Sequence, residues 1–538
     1  MHLTESPSTR QQTGPADQAV SPTSFTLEMA RQQQRELTAV EQFAAVHGKS
    51  ESASNLYRDL IPAVKPQTGE QYAFEVNLDK CTGCKACVAA CHHLNGLEAD
   101  ETWRRVGLLV GTKPELPVLQ HVTTACHHCV EPGCLQGCPT NAYEKDPETG
   151  IVIHLDDQCF GCQYCILACP YEVPRFSASK GIVRKCDMCV TRLSSGEAPA
   201  CVQSCPSQAI RITNVTRSEL AAAASADRFL PDSPSPKITT PATRYVGRIA
   251  DSMQVARVDK KQVARQHVPL SLVCMLVLTQ MSVGCITAAT LDRSLSIASA
   301  TTHWSLLLAA VATGLLGIGA ATFHLGRPHL AHRAILGWRH SWLSREAIVF
   351  GAYLPCLLLS VGTFAWPRLT PFQTSALALS TLTGWLGVFC SMRIYQFTQR
   401  PNWVGWRTTI PFLTTAITLG GSTWLASSVG STSVSLPFAV ALVAGLYLAR
   451  VAGGILVSRH THGPSPTPSP AFVQLRSSSH VCGATLITGA LLLSAYATDW
   501  STALAIAGCG GLLLAELLDR MIYFETGAAI GMPGGLGE

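Results

Sequence analysis

The chain has 538 residues, 47% of them hydrophobic and only 14% charged, with a formal charge of +5. That length leaves room for several domains, and so small a positive balance carries no nucleic-acid signature. The charge is unevenly spread: up to Arg265 there are 27 Lys and Arg against 28 acids, whereas the remaining 273 residues hold 13 Arg, no Lys and seven acids. The second half therefore has the composition of a membrane domain.

Taken in order, residues 1–24 are rich in Ser, Thr, Pro and Gln and are expected to be disordered; neither a secretory leader nor a twin-arginine motif is read there. Apolar positions at helical spacing predict a helix over 25–47, and GEQYAFEVNLDK (69–80) alternates like a strand leading to Cys81. Four cysteine sets follow. They are Cys81, Cys84, Cys87 and Cys91; Cys126, Cys129, Cys134 and Cys138; Cys159, Cys162, Cys165 and Cys169; and Cys186, Cys189, Cys201 and Cys205. The first and third have the spacing C-x2-C-x2-C-x3-C, and all but the first end in Cys-Pro. That is the bacterial ferredoxin pattern, in which three close thiolates hold one [4Fe–4S] cluster and the fourth reaches another. Sixteen cysteines in four sets predict four clusters. Structural zinc uses two C-x2-C pairs without a third cysteine at +3, and a disulfide framework belongs to short secreted chains, so neither suits the pattern.

Between the sets, a short strand is expected at 151–154 and a turn at 146–150. His92, His93, His127 and His128 adjoin cysteines, but with four thiols per cluster they are read as neighbours of ligands or as surface. Lys85, Arg184 and Lys185 are read as tuning cluster charge. An Ala-rich helix and a proline-rich strap then form an expected linker over 213–266. Apolar segments follow at about 269–290, 304–323, 346–365, 374–392, 409–427, 436–457, 481–497 and 501–518, with a polar break at 458–480. Eight transmembrane helices are read. Six cysteines outside the sets, such as Cys285 and Cys390, lie in these apolar stretches and are read as small hydrophobes.

The predicted fold is thus an α+β ferredoxin-like domain binding four [4Fe–4S] clusters, followed by an all-α polytopic membrane domain. The layout is 1–71 extension, 72–212 cluster domain, 213–266 linker and 267–538 membrane anchor. With eight spans both ends lie on one side, and the loops of that side carry eleven arginines against Arg293 and Arg368 opposite. This predicts an inner-membrane protein whose cluster domain is cytoplasmic. One competing cause is that some of these arginines serve docking of the cluster domain or a quinone headgroup.

The order of the four motifs over 72–212 closely resembles the iron–sulfur subunit of the dimethyl sulfoxide reductase, polysulfide reductase and formate dehydrogenase group of molybdoenzymes. The stretches PLSLVCMLVLTQMSVG, FHLGRPHLAHRAILGWRHSWLSREAIVFG and LLAELLDRMIYFE resemble the eight-helix anchor of dimethyl sulfoxide reductase, usually a separate polypeptide. The resemblance implies a nested ligation. Cys81, Cys84 and Cys87 share a cluster with Cys205, and Cys186, Cys189 and Cys201 share one with Cys91. Cys126, Cys129 and Cys134 pair with Cys169, and Cys159, Cys162 and Cys165 with Cys138. It also implies a wire from a menaquinol or ubiquinol in the bilayer to a molybdopterin catalytic subunit, which this chain does not encode. The same wire run in reverse would carry electrons from a dehydrogenase, such as formate dehydrogenase, into the quinone pool. Family anchors place a His after the second helix and a Glu at the start of the third; His324 and Glu346 match, with Arg327, His329, His332 and Trp342 as possible lining. A His and a carboxylate at the membrane edge suit acceptance of quinol protons. Glu516, Asp519 and Arg520 are read as an interfacial ion network.

Overall fold

The computed structural model describes residues 58–112, 118–248, 255–261, 268–295, 300–429, 470–493 and 498–534, with single positions at 441, 445 and 448. The expected disorder over 1–24, the helix over 25–47 and most of the span over 436–457 lie outside the described residues. From Leu60 onward the chain is one compact unit.

Its first part is built on short elements. Strand β1 (Glu70–Asn77) leads through a turn of 3-10 helix to Cys81. Helix α1 (Ala86–Leu94) carries Cys87 and Cys91. Strands β2 (Arg105–Gly111) and β3 (Leu119–Thr124) form an antiparallel pair. Next come α2 (Gly133–Gly137), the hairpin of β4 (Tyr143–Lys145) and β5 (Val152–His154), and α3 (Tyr164–Ala168). A second hairpin, β6 (Arg175–Ser177) with β7 (Ile182–Arg184), precedes α4 (Val190–Ser194) and α5 (Ala200–Gln203). The expected turn at 146–150 is present, with Thr149 Oγ1 donating to Asp146 Oδ2 at 2.6 Å.

Two findings differ from the pattern read in the sequence. β1, the middle strand of a sheet with β8 (Ile210–Thr216) and β9 (Arg244–Val246), is buried along both faces rather than one, because Leu220 and Ala242 cover Ala73 on one face and Arg104 and His128 cover Phe74 on the other. Its polar residues are satisfied internally: Gln71 Nε2 donates to the His128 carbonyl (2.8 Å) and Glu75 pairs with Arg211. The stretch 213–266 is also more than a linker. β8 pairs antiparallel with β1 and crosses the expected boundary at 212, β9 pairs parallel with β1, and β10 (Val255–Arg257) pairs with β2. Only α6 (Arg217–Ser225), capped by Thr216, follows the expected Ala-rich helix.

The second part contains seven helices of 21 to 28 residues among the described residues. They are α7 (Leu270–Leu295), α8 (Ala300–Ala320), α9 (Trp342–Ala365), α10 (Gln373–Phe397), α11 (Trp406–Ser427), α12 (Pro470–Leu493) and α13 (Thr498–Glu525). Five apolar stretches, covering α7, α8, α9, α10 and α13, are long and apolar enough to cross a membrane. α7 is the most enclosed of the five and packs against α8, α10, α11 and α13. It crosses α11 at Gly284 and Gly420, where a Cβ on Gly284 would lie 2.0 Å from the Ala416 carbonyl oxygen; small residues let the two backbones touch. The polar break expected to run to 480 ends earlier, since α12 begins at Pro470, a residue suited to a first helical turn. Ser479 and His480 face inward there.

Candidate metal centres and the seam beneath them

The ligand loops are shaped by backbone conformation. Gly83 and Gly161, inside C-x2-C, take positive φ, and so do Lys85, Gln163 and Cys189 at the starts of α1, α3 and α4. Such loops curl so that thiols and amides converge on one point. Amide hydrogens already point at sulfur: Ala142 N to Cys138 Sγ (3.2 Å), Ala209 N to Cys205 Sγ (3.3 Å) and Met188 N to Cys186 Sγ (3.4 Å).

Thiols of one motif are joined by a thiol from another. Cys81 lies in electrostatic contact with Cys84, Cys87 and Cys205, and Cys91 with Cys189 and Cys201. Cys134 meets Cys126, Cys129 and Cys169, and Cys165 meets Cys159, Cys162 and Cys138. One cavity is lined by Cys81, Cys84, Cys87 and Cys205, and another by Cys126, Cys129, Cys134 and Cys169. Burial pushes the Cys91 thiol up to about 12 and those of Cys169 and Cys189 up to about 11. Bare thiols here would stay protonated, so their ligand form requires a metal to hold the charge.

The surroundings fit an anionic iron–sulfur group. Arg104 is buried; desolvation pulls its pKa down, but Cys201, Cys87, Cys186 and Cys91 more than offset this and raise it. Its Nη1 donates to Thr123 (3.1 Å), and the guanidinium faces Cys201 and the other thiols that would become cluster ligands. Lys185 is likewise buried and its pKa raised, desolvation being outweighed by Cys126, Cys134 and Cys186. Of the neighbouring histidines, His93 is exposed and the others are held by the scaffold. His127 Nδ1 meets Thr243 Oγ1 (2.9 Å), and its ring edges onto Tyr171 and Phe229. Burial drives its pKa down to about 3. His128 Nδ1 accepts from the Val152 amide (3.0 Å), and His92 bonds the Glu98 carbonyl. Lys85 is exposed, whereas Arg184 pairs with Glu101 (3.0 Å).

The set Cys138, Cys159, Cys162 and Cys165 faces the membrane domain. Gly326 N donates to Gly161 O (3.3 Å) and Arg327 N to Phe160 O (3.0 Å). Gly161, Gly181 and Gly326 form the tightest approach, where a Cβ on Gly326 would lie 2.2 Å from Gly181 O. On the other side, Ser341 Oγ donates to Gly137 O (2.7 Å), His340 Nε2 bonds Cys138 O (3.0 Å) and Ser344 Oγ donates to Pro139 O (3.3 Å). α3 and α10 cap each other: the Tyr164 hydroxyl donates to Ile394 O (2.8 Å), and Arg400 Nε and Nη2 reach Leu167 O and Ile166 O. Arg400 Nη1 also holds Gly527 O (2.6 Å) in the tail after α13. That tail returns to the cluster domain, where Arg257 Nη1 donates to Gly531 O and Met532 joins the core of Leu109 and Val122.

His324 ends the short 3-10 helix after α8, and its Nδ1 is buried with no hydrogen-bond partner among the described residues. Glu346, in the first turns of α9, is 4% exposed and accepts a hydrogen bond from Ser391 Oγ of α10. Arg345 instead donates to the carbonyls of Trp338 and Arg339. Arg327, expected as quinol lining, spends its guanidinium on the carbonyls of Asp156 (3.0 Å), Lys180 and Cys159. Arg333 similarly holds Asp157 O (2.9 Å). Both serve docking, the competing cause foreseen for the arginine bias. His329 and His332 are exposed, and Trp342 sits under Arg345 and Arg393. Asp519 pairs with Arg476 (3.2 Å) and His480 (2.9 Å), Glu516 accepts from Thr415 (2.7 Å), and Arg520 lies over Phe412. This is a partly buried ion network, and its His480 was not singled out in the sequence. Tyr164, Ser391, His340 and Arg400 were also missed.

Thiol sets in a ferredoxin-like fold, carried on a helical membrane-type domain, define an iron–sulfur electron-transfer protein with its own anchor. Residues 118–215 match the family model for a 4Fe-4S dicluster domain, and 265–458 match the model for the DMSO reductase anchor subunit (DmsC). The protein is 37% identical over 150 residues to the B subunit of the anaerobic dimethyl sulfoxide reductase of Haemophilus influenzae, covering 73% of that subunit and 26% of this sequence. It is 36% identical over 155 residues to the thiosulfate reductase electron transfer subunit PhsB of Salmonella typhi, covering 79% of that protein and 28% of this one. Over 170 residues it is 36% identical to the hydrogenase-2 operon protein HybA of Escherichia coli O157:H7, covering 51% of that protein and 27% of this one. The chain belongs to the dimethyl sulfoxide reductase family, as a fusion of its iron–sulfur and anchor subunits.

Proposed function

We propose that this fused subunit oxidises menaquinol or ubiquinol in the inner membrane and relays the electrons to a molybdopterin catalytic subunit that reduces a sulfoxide, nitrate or a sulfur species. Bound in the four nested thiol sets, [4Fe–4S] clusters would supply one-electron steps between the two-electron chemistries at either end. The single observation carrying this reading is the seam. The set Cys138, Cys159, Cys162 and Cys165 docks on residues that follow His324 and precede Glu346 in the chain, the two residues proposed to serve the quinol. Each quinol would release two electrons toward that set and two protons toward the His324 ring and the Glu346 carboxylate. The buried ring of His324, with the Ala321 backbone beside it, is a candidate partner for a quinol hydroxyl. At the other end Cys84 is exposed, which suits the Cys81, Cys84, Cys87 and Cys205 set as the outlet to the catalytic partner.

Eight crossings are favoured by the ends of the described helices. α11 starts at the docked loop and its 22 residues run about 33 Å away from it. α12 starts beside the end of α13, since Arg476 holds Asp519, and the tail after α13 returns to the cluster domain. The eight apolar segments of the sequence fit these two ends. Setting aside Arg327, Arg333 and Arg400 as docking residues leaves eight arginines on the cluster side against two opposite, which still favours a cytoplasmic cluster domain. Protons would then be released on the cluster side and turnover would not charge the membrane. The likeness to a hydrogenase-2 operon protein gives some support to the reverse direction, from a dehydrogenase into the quinone pool; cluster potentials against the quinone couple separate the two.

The test uses the full chain in lipid nanodiscs. A short-chain menaquinol analogue is expected to bleach the broad visible absorbance, and Glu346→Gln to slow this by about a hundredfold or more, the scale of a lost general base. Bleaching at the normal rate in Glu346→Gln sinks the site.

A further inference from the structure

Tyr164 stands between Cys162 and Cys165 in sequence but is 3% exposed within the core of the membrane domain. On one side its ring packs on Gly137, where a Cβ would lie 3.2 Å from it, and Gly137 precedes Cys138. On the other side its ring approaches Phe397 (6.5 Å between centroids) and its hydroxyl caps Ile394 O at 2.8 Å. Ile394 belongs to the last turn of α10, whose final carbonyls have no acceptor role within the helix. Ser391, whose hydroxyl holds the Glu346 carboxylate, lies three residues before Ile394, on the same helix face. One side chain therefore touches the backbone beside a thiol ligand and the helical turn that aims the carboxylate.

We propose that Tyr164 is a positioning residue of the quinol site, fixing the last turn of α10, and through Ser391 the Glu346 carboxylate, in register with the thiol set of Cys138, Cys159, Cys162 and Cys165. This rests on the quinol reading given above. Tyr164 takes no electron and no proton; it sets how well the proton acceptor is held while electrons leave toward the adjacent set. A residue that only filled space would be replaced by Phe without effect, since the hydroxyl makes the contact with Ile394.

The experiment compares Tyr164→Phe and Tyr164→Ala with the unaltered chain in nanodiscs. Iron content and the electron paramagnetic resonance spectrum report whether the clusters are intact. Dithionite, which reduces the clusters without using the quinol site, is expected to bleach all three proteins equally. With the quinol analogue the maximal bleaching rate is expected to fall about fivefold in Tyr164→Phe, the scale of one hydrogen bond. Tyr164→Ala is expected to lose more, with the half-saturating quinol concentration unchanged in both. Amide exchange across 394–398 is expected to speed up in Tyr164→Phe, a readout independent of turnover. Unchanged quinol rates in Tyr164→Phe overturn the proposal, as does slowing that dithionite shares. If Tyr164→Ala loses iron, Tyr164→Phe alone decides. A silent Glu346→Gln sinks the quinol site itself, whereas an impaired Glu346→Gln beside a silent Tyr164→Phe sinks only the role of Tyr164.

Discussion

In the cluster domain no described helix or strand exceeds nine residues, whereas the membrane domain is built from helices of 21 to 28. Elements that short are marginal on their own. They are gathered around sulfur, with Arg104, Lys185, His127 and His128 buried among the thiols. The long helices satisfy their own backbone and fold their hydroxyls back onto it, as Thr279 Oγ1 does on Met275 O (2.7 Å) and Thr287 Oγ1 on Val283 O (2.6 Å). Charges buried there come in partnerships, such as Asp292 with His303 (3.0 Å). The contrast separates two ways of tolerating interior polarity. One depends on an anionic guest, and the other is met largely by the protein's own groups, with the quinol-site His324 left apart.

Iron removal should break this comparison most visibly. Stripping the clusters with a chelator leaves Arg104 and Lys185 buried without counter-charge and removes the ligation that ties the short elements together. The loss is expected to exceed the stability of about 5–15 kcal/mol that an ordinary domain possesses. Hydrogen exchange should show protection vanishing over 70–246 while α7–α11 and α13 remain protected, and far-UV circular dichroism should keep most of its helical signal. Retention of protection in β1 and β8 after complete iron loss would show that the cluster domain has a sufficient core of its own.

The seam is where the two regimes meet, and a side chain at Gly326 sharpens the question of how rigidly. Gly326→Val would push a Cβ onto the Gly181 carbonyl, a backbone group with no flexible side chain to yield. Overpacking of this kind costs about 3 kcal/mol, or about a hundredfold in the docking equilibrium. Iron content should be unchanged, while amide exchange at 160–161 and 326–327 rises and quinol-driven bleaching slows. Wild-type exchange at those amides would mean that the glycines are incidental to docking.

Much of this was legible in the sequence because the chemistry is local. Thiol spacing is dictated by the group held, and hydropathy by the bilayer. The strands β9 and β10 were not legible, since three residues each gain strand character only by pairing with β1 and β2, distant in sequence. The start of α12 was obscured by the polar run QLRSSSH, whose His480 is buried against Asp519 instead of solvated. Arg327 carried a signal but an ambiguous one, since a basic residue at a membrane edge serves docking, topology or a headgroup equally well. Tyr164 and Arg400 sit in sequence contexts that say nothing of the helix each one caps.

A smaller effect on the seam than that of Gly326→Val is expected from the other half of the reciprocal cap. Arg400→Ala removes charge-assisted hydrogen bonds to Ile166 O, Leu167 O and Gly527 O together with the stacking of the guanidinium on Trp403 at 5.1 Å. The carbonyls of α3 would be left bare at the end of a helix only five residues long, and the tail after α13 would lose one of its anchors. Hydrogen bonds from a charged group are worth about 2 kcal/mol net here, so α3 should open about thirtyfold more often. Arg400→Lys should recover only part of this, because a single ammonium cannot span α3 and Gly527 as a planar fork does. Exchange at 166–169 and 527 in the two variants measures it. An effect larger than that of Gly326→Val would mean that the seam is held chiefly by this one cation, and backbone complementarity at the three glycines would then be the lesser cause.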